Sequence, residues 1–270
     1  VWQRDLSVSV ERAGDMQEAQ GDLKGALDSY QRGLAIADRL ARSEPGNAGW
    51  QRDLSVAHTK VGDIQLAQGH LSGALERYRD GLVISERLAK SDPGNGRWQH
   101  GLSISFERIG DVQEAQGDLQ RALDSYQSGL AIRQWLVASD PGNAGWQREL
   151  SVSFTKVGDI QRAQGKLVDA LDSYQKGLAI RATLARAGSS NVDWLRDLSV
   201  SYNKVGDAMQ AQGNLPGALD NYRGALAIRE RLGRSDPGNS AWQHDLAVSY
   251  AKLASILIRQ GAQADAVEKL

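Results

Sequence analysis

Apolar and polar positions along this chain follow a helical period that is broken at regular intervals. Between Trp50 and Arg97 the segment WQRDLSVAHTKVGDIQLAQG places Trp50, Leu54, Ala57, Val61 and Ile64 at spacings of 4, 3, 4 and 3, one face of an α-helix. Gly69 follows the last periodic residue, where a helix commonly closes on glycine. A second helix is predicted from Leu71, Ala74, Leu75, Tyr78, Leu82 and Leu88. The run Ser91-Asp92-Pro93-Gly94-Asn95 then breaks the pattern, and Asn95 is placed to cap the next helix. No stretch sustains period-2 alternation, so no sheet is expected. Each helix should run about 18–20 residues, roughly 27–30 Å.

This hairpin recurs. Trp2, Trp50, Trp98, Trp146, Trp194 and Trp242 each stand 48 residues after the last. The repeats are therefore 2–49, 50–97, 98–145, 146–193, 194–241 and a partial 242–270, read as a single array over 1–270. The sixth stops inside its second helix at Leu270, leaving an open C-terminal end. One junction differs: Gly188-Ser189-Ser190-Asn191 lacks the proline of the others but keeps their length, so the register should survive at what is expected to be the softest joint. Gly14, Gly62, Gly110, Gly158 and Gly206 lie inside first helices, and Gly33, Gly81, Gly129 and Gly177 inside second helices, with Ala225 in the fifth. Mid-helix glycine costs about 1 kcal/mol against alanine, so its recurrence predicts close helix contact.

Composition narrows the function. The 32 Lys+Arg nearly balance 33 Asp+Glu, which argues against a nucleic-acid binder with its basic face. Without cysteine there is no disulfide framework and no thiolate metal site, which suits the cytoplasm. No apolar run approaches the roughly 20 residues of a membrane span, and no signal peptide stands at the start. The chain begins at Val1, one residue before a repeat, as an excised fragment would.

The repeating residues resemble the tetratricopeptide repeat, whose pattern is an aromatic, Leu-Gly, a small residue, an aromatic and a late proline. The fifth repeat carries Tyr202, Val205-Gly206, Ala218, Tyr222 and Pro237 in that order. The third and fourth supply Phe106 or Phe154, Ile109-Gly110 or Val157-Gly158, Ala122 or Ala170, and Tyr126 or Tyr174. Two features depart from the family. Its later first-helix aromatic is Gln17, Gln65, Gln113, Gln161 or Met209 here, and the repeat exceeds the usual 34 residues or so by about two turns in each helix. Long repeats with a second-helix AIRERL, here Ala227–Leu232, are similar to the kinesin-light-chain type and to arrays of bacterial signalling proteins that carry NTPase, protease-like or TIR-type effector domains. The resemblance implies an all-α, right-handed superhelical solenoid of antiparallel hairpins, about 11–12 helices, whose first helices line a concave binding face.

On that face the resemblance places Arg52, Val56, Thr59, Asp63 and Leu66, with Lys60 beside them. An aspartate column runs Asp15, Asp63, Asp111, Asp159 and Asp207, with Ser255 at the end. Three residues earlier runs a basic column, Arg12, Lys60, Arg108, Lys156, Lys204 and Lys252, so intrahelical i, i+3 ion pairs are expected, and both columns are candidates to hydrogen-bond an extended peptide. Two columns vary: Glu11, Thr59, Glu107, Thr155, Asn203 and Ala251, and Glu18, Leu66, Glu114, Arg162, Gln210 and Ile258. Repeats one and three are acidic there, so the N-terminal half should prefer a basic segment. Trp135 breaks the ladder where its counterparts are Arg39, Arg87, Thr183 and Arg231; an exposed tryptophan is a candidate hot spot. The ladder tryptophans should instead be structural, each packing on the preceding second helix.

His58, His70, His100 and His244 form no cluster, and no HExxH, phosphate loop or nucleophile elbow occurs, so neither catalysis, a cofactor nor a metal is expected. The expected function is a protein- or peptide-binding scaffold, the recognition part of a larger signalling or effector protein. The alternative is a self-assembly or spacer element acting through the open C-terminal end, where Ile256, Leu257 and Ile258 are unusually apolar.

Overall fold

In a computed structural model, residues 2–259 and 261 are described, the side chains of Trp2, Gln3 and Arg4 excepted. The second helix of the partial sixth repeat and the open C-terminal end lie outside the described residues. The helices are α1 (Trp2–Ala19), α2 (Leu23–Ser43), α3 (Ala48–Ala67), α4 (Leu71–Ser91), α5 (Gly96–Ala115), α6 (Leu119–Ser139), α7 (Ala144–Ala163), α8 (Leu167–Ala187), α9 (Val192–Ala211), α10 (Leu215–Ser235) and α11 (Ser240–Arg259). No strand occurs among the described residues. They group into two units, residues 1–139 with α1–α6 and residues 140–270 with α7–α11. Within each unit every helix packs on the next one in the chain.

The boundaries follow from capping. Each first helix after α1 starts two residues before its tryptophan, because the linker asparagine accepts the first free N–H groups. Asn47 Oδ1 takes Gly49 N–H at 3.1 Å and Trp50 N–H at 3.2 Å. Asn143, Asn191 and Asn239 take the N–H of Trp146, Trp194 and Trp242 at 3.1–3.2 Å. The turn inside each hairpin needs a left-handed residue, supplied by Gly21, Gly69, Gly117, Gly165 and Gly213 at φ 77–80°. The proline-free junction keeps its Asn191 cap. There Leu195, buried against Ala185, Leu198 and Leu232, replaces the glutamine that elsewhere donates its amide to a carbonyl at the end of the preceding hairpin.

The core straddles repeat boundaries. In the first unit Ala26 and Tyr30 of α2 pack with Val61 and Ile64 of α3, and Ala74 and Tyr78 of α4 with Ile109 and Val112 of α5. In the second, Ala170 and Tyr174 of α8 pack with Val205 and Ala208 of α9. Toward the lengthened helix ends, Trp50 and Trp98 lie against Ala37, Ala41, Ile84 and Leu88, the post-like role expected of them. A single hairpin therefore has only half a core, and neighbours supply the rest.

The first-helix glycines show the expected close approach. A Cβ on Gly14, Gly62, Gly110, Gly158 or Gly206 would sit 2.5–2.7 Å from the ring of Tyr30, Tyr78, Tyr126, Tyr174 or Tyr222. In the second helices, Gly81, Gly129 and Gly177 face a first-helix carbonyl at 3.1–3.3 Å, whereas Gly33 meets only Glu11 Cγ at 3.5 Å. The departure from the family's later aromatic also has a cause. Gln17, Gln113 and Gln161 accept from Ser29, Ser125 and Ser173 at 2.7 Å, and Met209 takes Asn221 Nδ2 at 3.5 Å. In the second repeat Arg77 replaces that serine, and the buried Gln65 Oε1 has no hydrogen-bond partner among the described residues.

The two glycine columns should respond oppositely to alanine. Gly62→Ala drives a methyl into the fully buried Tyr78 ring and should cost about 1–3 kcal/mol net. Gly33→Ala has room and should gain up to about 1 kcal/mol of helix propensity. Urea denaturation followed by circular dichroism checks both; equal effects would refute the tyrosine–glycine packing.

Candidate functional site

The aspartate and basic columns meet across repeats rather than along one helix. Lys60 Nζ lies 2.5 Å from Asp15 Oδ1, Arg108 Nε 3.1 Å from Asp63, Lys204 Nζ 2.6 Å from Asp159 and Lys252 Nζ 2.5 Å from Asp207. The expected i, i+3 pairing is seen at Arg108 with Asp111, at 3.4 Å. The correction has a simple reason. A cation on one first helix reaches the preceding repeat's carboxylate because that carboxylate is already fixed by its own tyrosine. Tyr30, Tyr78, Tyr126, Tyr174 and Tyr222 donate to Asp15, Asp63, Asp111, Asp159 and Asp207 at 2.6–2.7 Å. Lys60, Lys204 and Lys252 also lie 4.9, 5.9 and 5.4 Å from the ring centres of Tyr30, Tyr174 and Tyr222.

The electrostatics are uneven along this ladder. Burial, then the aspartate acceptors, push the tyrosine phenols well above their usual range, so they stay protonated donors. Burial works to raise the Asp15 pKa, but hydrogen bonds from Lys60 and Tyr30 outweigh it and leave it below the ordinary carboxylate value. At Asp63 burial wins over Arg108 and Tyr78, and its pKa is raised. The same ladder orders the variable columns. Glu18 and Glu114 lie 2.9 and 2.8 Å from the Tyr30 and Tyr126 hydroxyls, Gln210 lies 2.8 Å from that of Tyr222, and Arg162 bonds Tyr174. Leu66 packs against the Tyr78 cluster.

The acidic character expected of repeat three is partly consumed inside the fold. Glu107 pairs with the buried Arg133 at 2.5 Å. Thr59 and Thr155 donate to Ser55 and Ser151 carbonyls of their own helices at 3.1 Å, and Asn203 is buried. Glu11 is half-buried, its pKa raised by burial against Lys60 and Ser7. Arg12 is exposed, and Lys156 half-buried. Trp135 is exposed on α6, as its column predicts. On α11, Ile256 and Leu257 are buried with Ala218 and Tyr222, while Ile258 is half-exposed.

One column on this face carries a signal that the charged residues overshadow in the sequence. Val8, Val56 and Val200 are exposed at 42, 37 and 36%, one turn from the variable column on α1, α3 and α9. Only Val56 enters the stripe by name; a period-48 comparison of apolar positions finds the others. Among the described residues, no His/Cys/Asp/Glu group could hold a metal, and no helix is long and apolar enough to cross a membrane.

The two aspartates predict opposite pH behaviour. A depressed pKa means that ionised Asp15 stabilises above its unfolded value near 3.8, and that this contribution fades as pH falls through the folded pKa. A raised pKa at Asp63 means that ionisation costs stability above it, a cost that acid removes. Asp15→Asn should therefore destabilise more than Asp63→Asn at pH 7, by up to about 1 kcal/mol for such half-exposed pairs. The gap should close below about pH 4 in melts recorded across pH, and a larger loss for Asp63→Asn at pH 7 would refute the assignment.

Comparisons with known proteins agree with this architecture. The tetratricopeptide repeat family model matches residues 198–232, in the fifth repeat. No curated protein matches in sequence. Among solved structures, BtubC (BKLC) from P. vanneervenii is 19% identical, with 92% of this chain and 88% of that one covered and a TM-score of 0.69. The nearly identical TPR-like repeats of a P. anserina protein described as a kinesin light chain are 18% identical, over 84% of this chain and 96% of that one, with a TM-score of 0.59. The apo form of RapI is 11% identical over 95% and 71% of the two chains, at a TM-score of 0.61. Such identities speak to the fold, and with the family match and the recurring tyrosine–glycine hairpins they lead to one statement: the chain is a tetratricopeptide-like helical repeat array.

Proposed function

We propose that the chain is a protein- or peptide-binding scaffold, a single array of six repeats that serves as the recognition or sensing part of a larger signalling or effector protein, with no catalysis of its own. Tetratricopeptide-like folds generally mediate protein–protein interaction and are typically non-catalytic. The observation that carries the reading is the valine column. Val56 and Val200 stay exposed on first helices whose other apolar face is buried, Val8 is exposed at the same position of α1, and all three sit beside side chains that differ from repeat to repeat. Apolar anchors ringed by varied polar groups are how a groove combines affinity with choice. Because Glu107 is neutralised by Arg133, the preference for a basic segment falls mainly on Glu11 and Glu18 of repeat one and on Glu114.

A peptide library selected on the immobilised chain tests this. Val56→Asp and the Glu18→Ala/Glu114→Ala pair should each weaken the selected peptides at least tenfold, about 1.4 kcal/mol. Val83→Asp and Val168→Asp, at residues 66 and 75% exposed on second helices, should leave binding unchanged. The reverse pattern would move the binding face to the second helices.

A further inference from the structure

The fourth and fifth repeats each bury an arginine at the same place. Arg181 donates from Nε to Ser151 Oγ at 3.0 Å and from Nη1 to Ser201 Oγ at 2.7 Å and the Asp197 carbonyl at 3.3 Å. Arg229 makes the same bonds to Ser199, Ser249 and the Asp245 carbonyl at 3.2, 2.9 and 2.7 Å. Beside each guanidinium a second ladder runs between repeats, with Arg148 2.6 Å from Asp197 and Arg196 2.9 Å from Asp245.

Between the second and third repeats the pair is deleted, the arginine from the second and the aspartate from the third. Ser85 stands where the buried arginine should be, and Gly101 where the aspartate should be. The cradle survives: Ser55, Ser105 and the Gly101 carbonyl occupy the positions that hold the guanidinium elsewhere. The short Ser85 side chain reaches only its neighbours' hydroxyls, at 2.9 Å to Ser55 and 3.1 Å to Ser105. Ser55 can donate to the Gly81 carbonyl at 3.1 Å and Ser105 to the Gly101 carbonyl at 3.2 Å, which leaves hydroxyl lone pairs as acceptors. The deleted atoms leave a cavity of ≈ 240 Å³ between α3, α4 and α5, walled by Trp98 and floored by these serines. Arg52 lines it too, and has lost its inter-repeat acid; its ion pair is with the adjacent Asp53 at 3.5 Å. No Asp or Glu lines the cavity.

We propose that this cavity is a binding site for a small ω-guanidino carboxylic acid, whose guanidinium takes the serine floor and whose carboxylate pairs with Arg52. The cavity stands where the Arg181 and Arg229 sites hold one guanidinium beside one carboxylate, and a ligand bearing both restores that pair. A purely cationic ligand adds charge beside Arg52, Lys60 and Arg97 with no acid in the lining, and a purely anionic one makes no use of the spare hydroxyl lone pairs of the floor. The volume lies just below the range of ~300–1,000 Å³ common for drug-sized ligands, which suits a molecule of about ten non-hydrogen atoms. The inference goes beyond the partner-binding face: Val56 also lines the cavity, but the proposed ligand is recognised by the serine floor and Arg52.

Isothermal titration calorimetry of the whole chain with 4-guanidinobutanoate tests it. Saturable one-to-one binding is expected, with agmatine (no carboxylate) and pentanoate (no guanidinium) at least tenfold weaker. Ser85→Arg fills the cavity with the repeat's own side chain and should abolish binding; Gly101→Asp gives Arg52 its acid back and should weaken binding at least tenfold. Ser85→Arg installs the residue of repeats four and five and Gly101→Asp that of repeats five and six, so the fold should hold, and thermal melts verify that it does. The absence of saturable binding to several millimolar, full binding by Ser85→Arg, or agmatine bound as tightly as the acid would each overturn the proposal. Loss of peptide binding in the Glu18→Ala/Glu114→Ala pair, which lies outside this cavity, with the titration unaltered in Ser85→Arg would overturn this proposal and leave the partner reading standing.

Discussion

A tyrosine ring lying on a glycine is the contact on which the rest of the array depends. With a methyl at Gly62 or Gly158 the two helices of the hairpin could not approach, because the ring already fills the space a Cβ would need. That approach puts the phenol hydroxyl beside the aspartate one residue past the glycine, and the hydrogen bond fixes the carboxylate. The fixed carboxylate is then the target of the next repeat's lysine or arginine. Packing within a hairpin and pairing between hairpins are thus one device. The half-exposed ion pairs contribute little energy singly, so their role is register; the apolar clusters shared between neighbouring repeats carry the stability.

Regularity of this kind makes the exceptions readable. The buried glutamine and its serine change together in the fifth repeat, where methionine faces asparagine, and the hydrogen-bonded contact becomes a softer one. In the second repeat only one partner changed, and Gln65 is left with a buried unbonded oxygen. Ser85 and Gly101 are exceptions of another sort. Two oppositely charged groups vanish from adjoining repeats while every atom that held the guanidinium stays. At that place lies an open pocket with a serine floor, lined also by Arg52 and Trp98.

The hairpin frame was readable because its signals are local. Asn95 before Trp98, Gly69 after Ala67 and the 4-3-4-3 apolar stripe each act within a few residues, and caps, turns and faces fell where they indicate. The partners of the aspartates were misjudged because Lys60 is three residues from Asp63 in sequence but reaches Asp15, 45 residues back. Only the stacking of neighbouring repeats reveals which carboxylate a flexible ammonium meets. The arginine column lies off the first helices altogether. Reading confined to first-helix columns cannot see Ser85 against Arg133, Arg181 and Arg229, although the signal stands in the sequence at the same 48-residue interval.

A double-mutant cycle across the fourth and fifth repeats tests the account most directly. Tyr174→Phe removes the hydroxyl and Lys204→Met the ammonium, two groups from different repeats that meet at one oxygen, Asp159 Oδ1, each at 2.6 Å. If the tyrosine fixes the carboxylate that the next repeat grips, the two losses should be non-additive by about 0.5 kcal/mol or more in urea denaturation. Additivity within about 0.3 kcal/mol would mean that the hairpin contact and the inter-repeat pair are independent, contradicting the claim that one device does both.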